Sequence, residues 1–104
     1  MMYGLPQRTL DSMEKIFRKY PIKQVILYGS RAKGNFRNNS DIDMTLITDE
    51  TFTRTHLLRI YSDFDDSDIP YLVDISMYEA LNNEDLKEHI NRVGKVIFEN
   101  KFCF

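Results

Sequence analysis

Cysteine pairs, long apolar runs and an excess of positive charge are all missing from this chain of 104 residues. Its single cysteine, Cys103, cannot form an internal disulfide, and this usage fits a reducing compartment. No apolar run approaches the roughly 20 residues of a membrane-spanning helix, and the N-terminus lacks the apolar core of a signal peptide. We therefore expect a cytoplasmic protein without a membrane anchor.

The charge balance gives little reason to expect nucleic acid as a partner. Lysine and arginine number 14 and aspartate and glutamate 16, so the formal net charge is −2. This charge argues against long-range attraction to a phosphate backbone, although a local basic patch would still suffice to hold RNA. With 42% hydrophobic and 29% charged residues, the chain is expected to fold as one globular domain spanning residues 1–104.

Hydrophobic periodicity predicts helices and strands in alternation along the chain. Thr9 and Asn83 are expected to be helix N-caps, because their side chains can accept an early helical N–H. Helices are expected over 10–20, 30–33, 51–64 and 84–93. Strands are expected over 23–28, 41–47, 70–76 and, at a sheet edge, 95–99. These elements predict an α/β (α+β) fold, a mixed sheet of three to four strands with helices mostly on one face.

The most distinctive stretch of the sequence runs from Gly29 to Asp43. An apolar strand leads into Gly29-Ser30, where a short helix is expected to begin. Such a turn presents backbone N–H groups and a hydroxyl, which together form a phosphate site. Asp41 and Asp43 are two residues apart, so on a strand they point to the same face. Two carboxylates beside a phosphate site are hard oxygen ligands that suit Mg²⁺ with its substrate phosphates.

A third carboxylate, Asp74, lies within an expected strand of mostly apolar residues. An acid in that position is costly unless it is paired with a cationic side chain or binds a metal ion. If Asp41, Asp43 and Asp74 converge, their repulsion favours a divalent cation between them. Two Mg²⁺ ions, one activating a hydroxyl and one holding a triphosphate, would fill such a site.

The sequence resembles a known family at these positions. Gly29-Ser30, ten residues and Asp41-Ile42-Asp43 resemble the signature of the polymerase-beta-like nucleotidyltransferase superfamily. The fuller string, Gly29-Ser30-Arg31-Ala32-x-Gly34 ending in Ser40-Asp41-Ile42-Asp43, resembles its minimal nucleotidyltransferase (MNT) branch. Members of that branch are typically encoded beside a helical HEPN-domain partner and act as antitoxins.

The resemblance implies a reaction and a role for each carboxylate. A hydroxyl attacks the α-phosphate of ATP, and pyrophosphate leaves. Asp41 and Asp43 would bind metal, whereas Asp74 would bind the catalytic metal and assist deprotonation.

The resemblance also implies a phosphate site at the start of the short helix. Ser30, with the backbone of Gly29 and Ser30, would hold the β- and γ-phosphates. Arg31 would pair with a phosphate oxygen, although a structural ion pair is the alternative for this residue. Lys33 and Arg37 are weaker candidates for phosphate contacts.

The acceptor is expected to come from another chain, because the sequence holds no further domain that could bind one. By resemblance to MNT antitoxins, the acceptor is a tyrosine hydroxyl of a HEPN toxin, which is neutralised when it receives AMP. Two alternatives stay open. One is a non-catalytic antitoxin that masks its partner sterically, and the other is a nucleotidyltransferase acting on RNA or a small molecule.

Several other residues have simpler interpretations. His56 and His89 are expected to be surface or half-buried helix residues rather than metal ligands, because Mg²⁺ does not favour imidazole. The phenylalanine-rich tail over 100–104 is expected to pack on the sheet or, if exposed, to provide a docking surface. Cys103 is a poor candidate nucleophile, because no residue near it in sequence would lower its pKa.

Overall fold

The computed structural model describes residues 2–37 and 39–100. The phenylalanine-rich end of the tail and Cys103 therefore lie outside the described residues. Helices and strands follow one another along the chain in this order: α1 (Gln7–Phe17), β1 (Ile22–Tyr28), α2 (Gly29–Lys33), β2 (Ile42–Thr48), α3 (Arg54–Asp66), β3 (Val73–Met77), a 3-10 turn (Tyr78–Ala80), α4 (Glu84–Val93) and β4 (Lys95–Glu99).

The four strands form one mixed sheet in the order β3-β2-β1-β4. β1 pairs antiparallel with β2 and with β4, whereas β2 and β3 are parallel. A parallel pair needs a crossover connection, and α3 provides it between β2 and β3. The mixed four-stranded sheet confirms the predicted fold class, and β4 lies at an edge as expected.

Helices α1 and α3 cover one face of the sheet. The ring of Phe17 on α1 contacts Phe64 on α3 at a centroid distance of 5.9 Å and Phe98 on β4 at 5.7 Å. The hydroxyl of Tyr61 donates to the carbonyl of Ile75 on β3 at 3.0 Å and accepts from its N–H at 2.7 Å. The core on this face includes these strand residues, all nearly or fully buried: Val25, Leu27, Ile42, Met44, Leu46 and Ile75.

Helix α4 lies against the opposite face. A side chain at Gly94, just after α4, would collide with Ile26 of β1 and with the backbone of Ile90. Ile90 is buried, and the ring of His89 meets Tyr28 of β1 edge-on. The side chains of β1, β2 and β3 that point away from the main core therefore share their face with α4.

Two element boundaries differ from the sequence prediction because of proline. Helix α1 begins at Gln7, and Pro6 occupies the N-cap position that we expected for Thr9. The carbonyl of Pro6 accepts from the N–H of Thr9, and the fixed φ of proline suits a helix start, so buried Thr9 lies in the first turn. β3 begins at Val73, after Pro70, whose missing N–H weakens strand pairing.

Helices α3 and α4 both begin at a side-chain N-cap. Asn83 caps α4 as predicted, since its side chain accepts from the N–H of Leu86 at 3.1 Å. α3 begins at Arg54, later than expected, because Thr53 and His56 form a reciprocal capping box. His56 is half-buried, which confirms its expected role as a helix residue. No helix within the described residues has the length and apolarity needed to cross a membrane.

Candidate active site

The turn from β1 into α2 requires glycine for two reasons. Gly29 has a φ of +75°, in the left-handed region that residues with a Cβ rarely adopt. A Cβ at this position would also overlap the Oδ2 atom of Asp43. The carboxylate of Asp43 therefore lies directly against the backbone of the turn where phosphate binding is predicted.

The three predicted carboxylates lie near one another on the face that α4 shares. Asp43 and Asp74 are paired across the parallel strands β2 and β3, so their side chains are neighbours on one face. Asp41 is exposed and immediately precedes β2, Asp43 is half-buried, and Asp74 is exposed. Burial raises the pKa of Asp43 most, and the negative charges of Asp74 and Asp41 raise this pKa further. The structure thus brings Asp41, Asp43 and Asp74 within electrostatic reach of one another.

The proximity of these side chains does not by itself make a metal site. Over residues 2–37 and 39–100, no group of three or more histidine, cysteine, aspartate or glutamate side chains is arranged to hold a metal ion. The negative charges of Asp74 and Asp41 nevertheless raise the pKa of Asp43, so the carboxylates repel one another. A divalent cation would offset this repulsion, and carboxylate oxygens suit Mg²⁺. In donor chemistry and charge, the three carboxylates therefore fit the predicted metal.

A row of hydroxyl groups lies beside the carboxylates. The Tyr28 hydroxyl hydrogen-bonds Ser76, and the pKa of Tyr28 is raised first by burial and then by the charges of Asp74 and Asp43. Ser76 Oγ donates to Thr45 Oγ1 at 3.1 Å, and Thr45 is fully buried. Thr45 is two residues after Asp43 on β2 and therefore shares the carboxylate face, but its burial beneath the site depends on packing that no local pattern specifies.

His89 of α4 also contacts the turn. The N–H of Gly29 donates to His89 Nε2 at 3.3 Å, and the ring of His89 packs edge-on against Tyr28 at a centroid distance of 6.2 Å. If its ring were protonated, His89 would lower the pKa of Asp43 and oppose the neighbouring acids. His89 is half-buried as predicted, but its place in the site was missed, because sequence periodicity does not show where α4 docks.

Arg31 is the predicted site residue whose surroundings differ most from the expectation. Its side chain is only 1% exposed. The guanidinium donates to the carbonyl of Ser40 from Nε (3.2 Å) and Nη2 (2.8 Å), and to the carbonyl of Tyr3 from Nη1 (3.0 Å). It also lies over the rings of Phe36 and Tyr71, at 5.2 and 4.9 Å. These contacts favour a structural role for Arg31 over phosphate binding.

The remaining phosphate-site candidates lie on or after α2. Ser30 is half-buried in the first turn of α2, and its carbonyl accepts from the N–H of Gly34 at 2.9 Å. Gly34 ends the helix with a φ of +88°, in the left-handed region that suits glycine at a helix C-terminus. Lys33 and Arg37 are exposed, so both remain free to sample solvent around the turn.

Comparison of the sequence with known proteins shows the family to which the chain is similar. Residues 11–102 match the family described as "Polymerase beta, Nucleotidyltransferase". The chain is 35% identical over 106 residues to a protein of Haemophilus influenzae named "Probable protein adenylyltransferase MntA". That match covers 96% of this chain and 92% of the relative.

Solved structures show the same fold in toxin–antitoxin complexes. One is a toxin–antitoxin complex with AMP-PNP, with a TM-score of 0.71 and 18% identity over 88% of this chain and 74% of that chain. Another is the tri-AMPylated Shewanella oneidensis HEPN toxin in complex with its MNT antitoxin, with a TM-score of 0.66 and 15% identity over 91% and 73%. Together with the sequence matches, this fold establishes that the chain belongs to the polymerase beta nucleotidyltransferase family, as its Gly-Ser and Asp-x-Asp motif predicts.

Proposed function

We propose that this chain is a Mg²⁺-dependent nucleotidyltransferase that acts as an antitoxin by transferring AMP from ATP to a tyrosine hydroxyl of a HEPN-domain toxin. The observation that carries the proposal is the contact between Asp43 and Gly29, with Asp74 and Asp41 near enough to raise the pKa of Asp43. Acidic oxygens thus lie beside the turn to which we assign phosphate binding, an arrangement that suits phosphoryl transfer. The relative named as a protein adenylyltransferase supports a protein acceptor.

In the proposed site, Asp41, Asp43 and Asp74 would hold the divalent cation. When bound, the cation lowers the pKa of an attacking hydroxyl and neutralises phosphate charge. Ser30 and the backbone of the turn would orient the β- and γ-phosphates. Gly29 has no side chain, so the Asp43 carboxylate can lie against the turn, next to the proposed phosphate site.

The proposed reaction forms one bond and breaks one. The tyrosine oxygen attacks the α-phosphorus, the bond from that phosphorus to the bridging oxygen of the β-phosphate breaks, and pyrophosphate leaves with the bonding electron pair. Asp74 receives the tyrosine proton, because it is the exposed carboxylate on β3 and is paired with Asp43 across the sheet. Most of the rate enhancement is expected from alignment and charge stabilisation.

A labelling experiment tests the proposal. The purified protein, Mg²⁺ and ATP labelled at the α-phosphate are incubated with a lysate of the source cell, beside the double variant Asp41→Ala/Asp43→Ala. The matched control is Asp65→Ala/Asp66→Ala, which removes the same charge from exposed positions at the end of α3. We expect a labelled protein band with the wild type and the control but not with the active-site variant.

Other results would favour the alternative functions. Label on RNA or on a small molecule instead of protein would contradict the proposed acceptor. If the HEPN partner is present and no label is transferred to any molecule, the chain is a steric antitoxin instead. Mass spectrometry of the labelled band identifies both the partner and the modified residue, and a modified residue other than tyrosine would contradict that part of the proposal.

A further inference from the structure

A side chain from α4 accepts a hydrogen bond from the backbone N–H that the proposed function assigns to a phosphate. The N–H of Gly29 donates to His89 Nε2 at 3.3 Å. The N–H groups of a turn between a strand and a helix are the usual anion donors. The first of these donors therefore already has an acceptor, the imidazole of His89.

The imidazole is held in this position from two directions. Its ring packs edge-on against the buried ring of Tyr28, with an interplanar angle of 83°. Its neighbour on α4, Ile90, is only 2% exposed. The contact between His89 and Gly29 is thus a feature of how α4 docks on the sheet.

The hydrogen bond and the proposed phosphate contact compete for the same donor. A backbone N–H carries one hydrogen, and Nε2 accepts it only through its lone pair, so the ring proton is on Nδ1. A charged phosphate oxygen is the stronger acceptor, since hydrogen bonds to ionised groups are stronger than those between neutral groups. A triphosphate can therefore displace the imidazole, whereas an uncharged nucleoside cannot.

We propose that His89 is a positioning residue of the nucleotide site, which holds the Gly29 N–H in the empty protein and is displaced by a triphosphate oxygen. This inference rests on the proposed function. It links nucleotide binding to α4, because the ring must leave its place between Tyr28 and Gly29 when the phosphate arrives. It also gives the site a preference for charged ligands over adenosine.

The test measures binding of AMP-PNP with Mg²⁺ to the wild type and to three variants by calorimetry. His89→Ala removes the competing acceptor, so we expect AMP-PNP to bind about fivefold more tightly, as the loss of one ordinary hydrogen bond predicts. His89→Gln offers an amide oxygen to Gly29 and should bind like the wild type. Glu88→Ala removes an exposed residue that pairs with exposed Arg92 on α4 and should leave AMP-PNP affinity unchanged. Adenosine should show no difference between wild type and His89→Ala.

Nuclear magnetic resonance of the wild type gives a readout that does not depend on any variant folding. In the wild type, addition of AMP-PNP should shift the ring signals of His89 and the amide signal of Gly29 together. In nucleotide-free His89→Ala, only amides near the turn should shift, and the Gly29 N–H should exchange faster with solvent. A role for His89 in stability alone would lower the melting temperature without this local effect.

Two results would overturn the inference while leaving the proposed function intact. One is AMP-PNP binding that is equal or weaker in His89→Ala. The other is a His89 ring signal that stays in place while the Gly29 amide responds to AMP-PNP. If AMP-PNP binds neither protein, the nucleotide site itself fails and the proposed function fails with it.

Discussion

At the scale of single residues, the site depends on close approach between a backbone and a carboxylate. Gly29 combines a left-handed φ with direct contact to Asp43. Gly34, at the other end of α2, has a similar φ of +88°, but no atom of the described residues lies within 4 Å of the place where its Cβ would stand. Gly29 is therefore needed both for its backbone conformation and for the space it leaves to Asp43, whereas Gly34 is needed for its conformation.

Gly29→Ala and Gly34→Ala are a matched pair for this distinction. Both place an L side chain in the left-handed region, and we expect each to lower the free energy of unfolding by about 1 kcal/mol. Only Gly29→Ala should also displace the Asp43 carboxylate and weaken AMP-PNP binding by an order of magnitude or more. Thermal denaturation and calorimetry measure the two effects. Equal losses of AMP-PNP affinity in both variants would contradict the assigned contact.

The raised pKa of Asp43 gives a second prediction at this scale. Burial comes first among its causes and the neighbouring acids follow, so the folded protein disfavours the charged carboxylate. Metal-free stability should therefore fall as pH rises from the unfolded pKa of Asp43 through its raised folded pKa, and should stay lower above it. Asp43→Asn should remove this slope and melt at an equal or higher temperature than the wild type at neutral pH.

Denaturation curves with and without Mg²⁺ measure this effect. Mg²⁺ should raise the melting temperature of the wild type, because it neutralises the carboxylates, but not that of Asp43→Asn. Asp66→Asn, on the exposed end of α3, is the control and should keep the wild-type pH profile. A large loss of metal-free stability in Asp43→Asn would mean that this carboxylate is structural.

At the scale of elements, the connection from α2 to β2 is held by Arg31. Its guanidinium bonds the carbonyl of Ser40, the residue before Asp41, and also the carbonyl of Tyr3 in the N-terminal segment. One buried side chain thereby fixes the end of the loop that delivers Asp41. The arginine is therefore tied to the site through the backbone of this loop.

Arg31→Met tests this structural role. It removes the charge-assisted hydrogen bonds to Ser40 and Tyr3 and takes the arginine donors from these half-buried residues, so we expect the free energy of unfolding to fall by about 3 kcal/mol. AMP-PNP affinity, measured where the variant is still folded, should change little. Lys33→Met, at an exposed position on α2, is the control and should keep wild-type stability. A large loss of affinity with unchanged stability would restore the phosphate-binding role.

Local sequence patterns predicted the helices and strands more accurately than they predicted the contacts between these elements. The strands, the short α2 and the Asn83 cap follow from apolar alternation and from side chains acting within a few residues. The start of α1 was wrong because Pro6, rather than Thr9, provides the cap position. Arg31 bonds Tyr3, which is 28 positions away in sequence, and Gly29 bonds His89, which is 60 positions away. Hydrophobic periodicity does not predict contacts between residues so far apart.

At the scale of the whole molecule, one face of the sheet forms the core and the other carries the candidate site. α1 and α3 bury one face in the core, while the face that carries Asp43 and Asp74 is shared with α4. Asp74 lies on β3, an edge strand of the sheet, and neighbouring Leu72 is 76% exposed. An acceptor from another protein can therefore approach Asp74 from the edge without passing through the core.

The measurement that tests the central claim most directly is the intact mass of a purified HEPN-domain partner after incubation with this protein, ATP and Mg²⁺. We predict a gain of one or more AMP units that requires Mg²⁺, is abolished by chelation, and is lost with Asp41→Ala/Asp43→Ala but kept with Asp65→Ala/Asp66→Ala. An unchanged mass in a complex that nevertheless forms and neutralises the toxin would contradict adenylylation and make this protein a steric antitoxin.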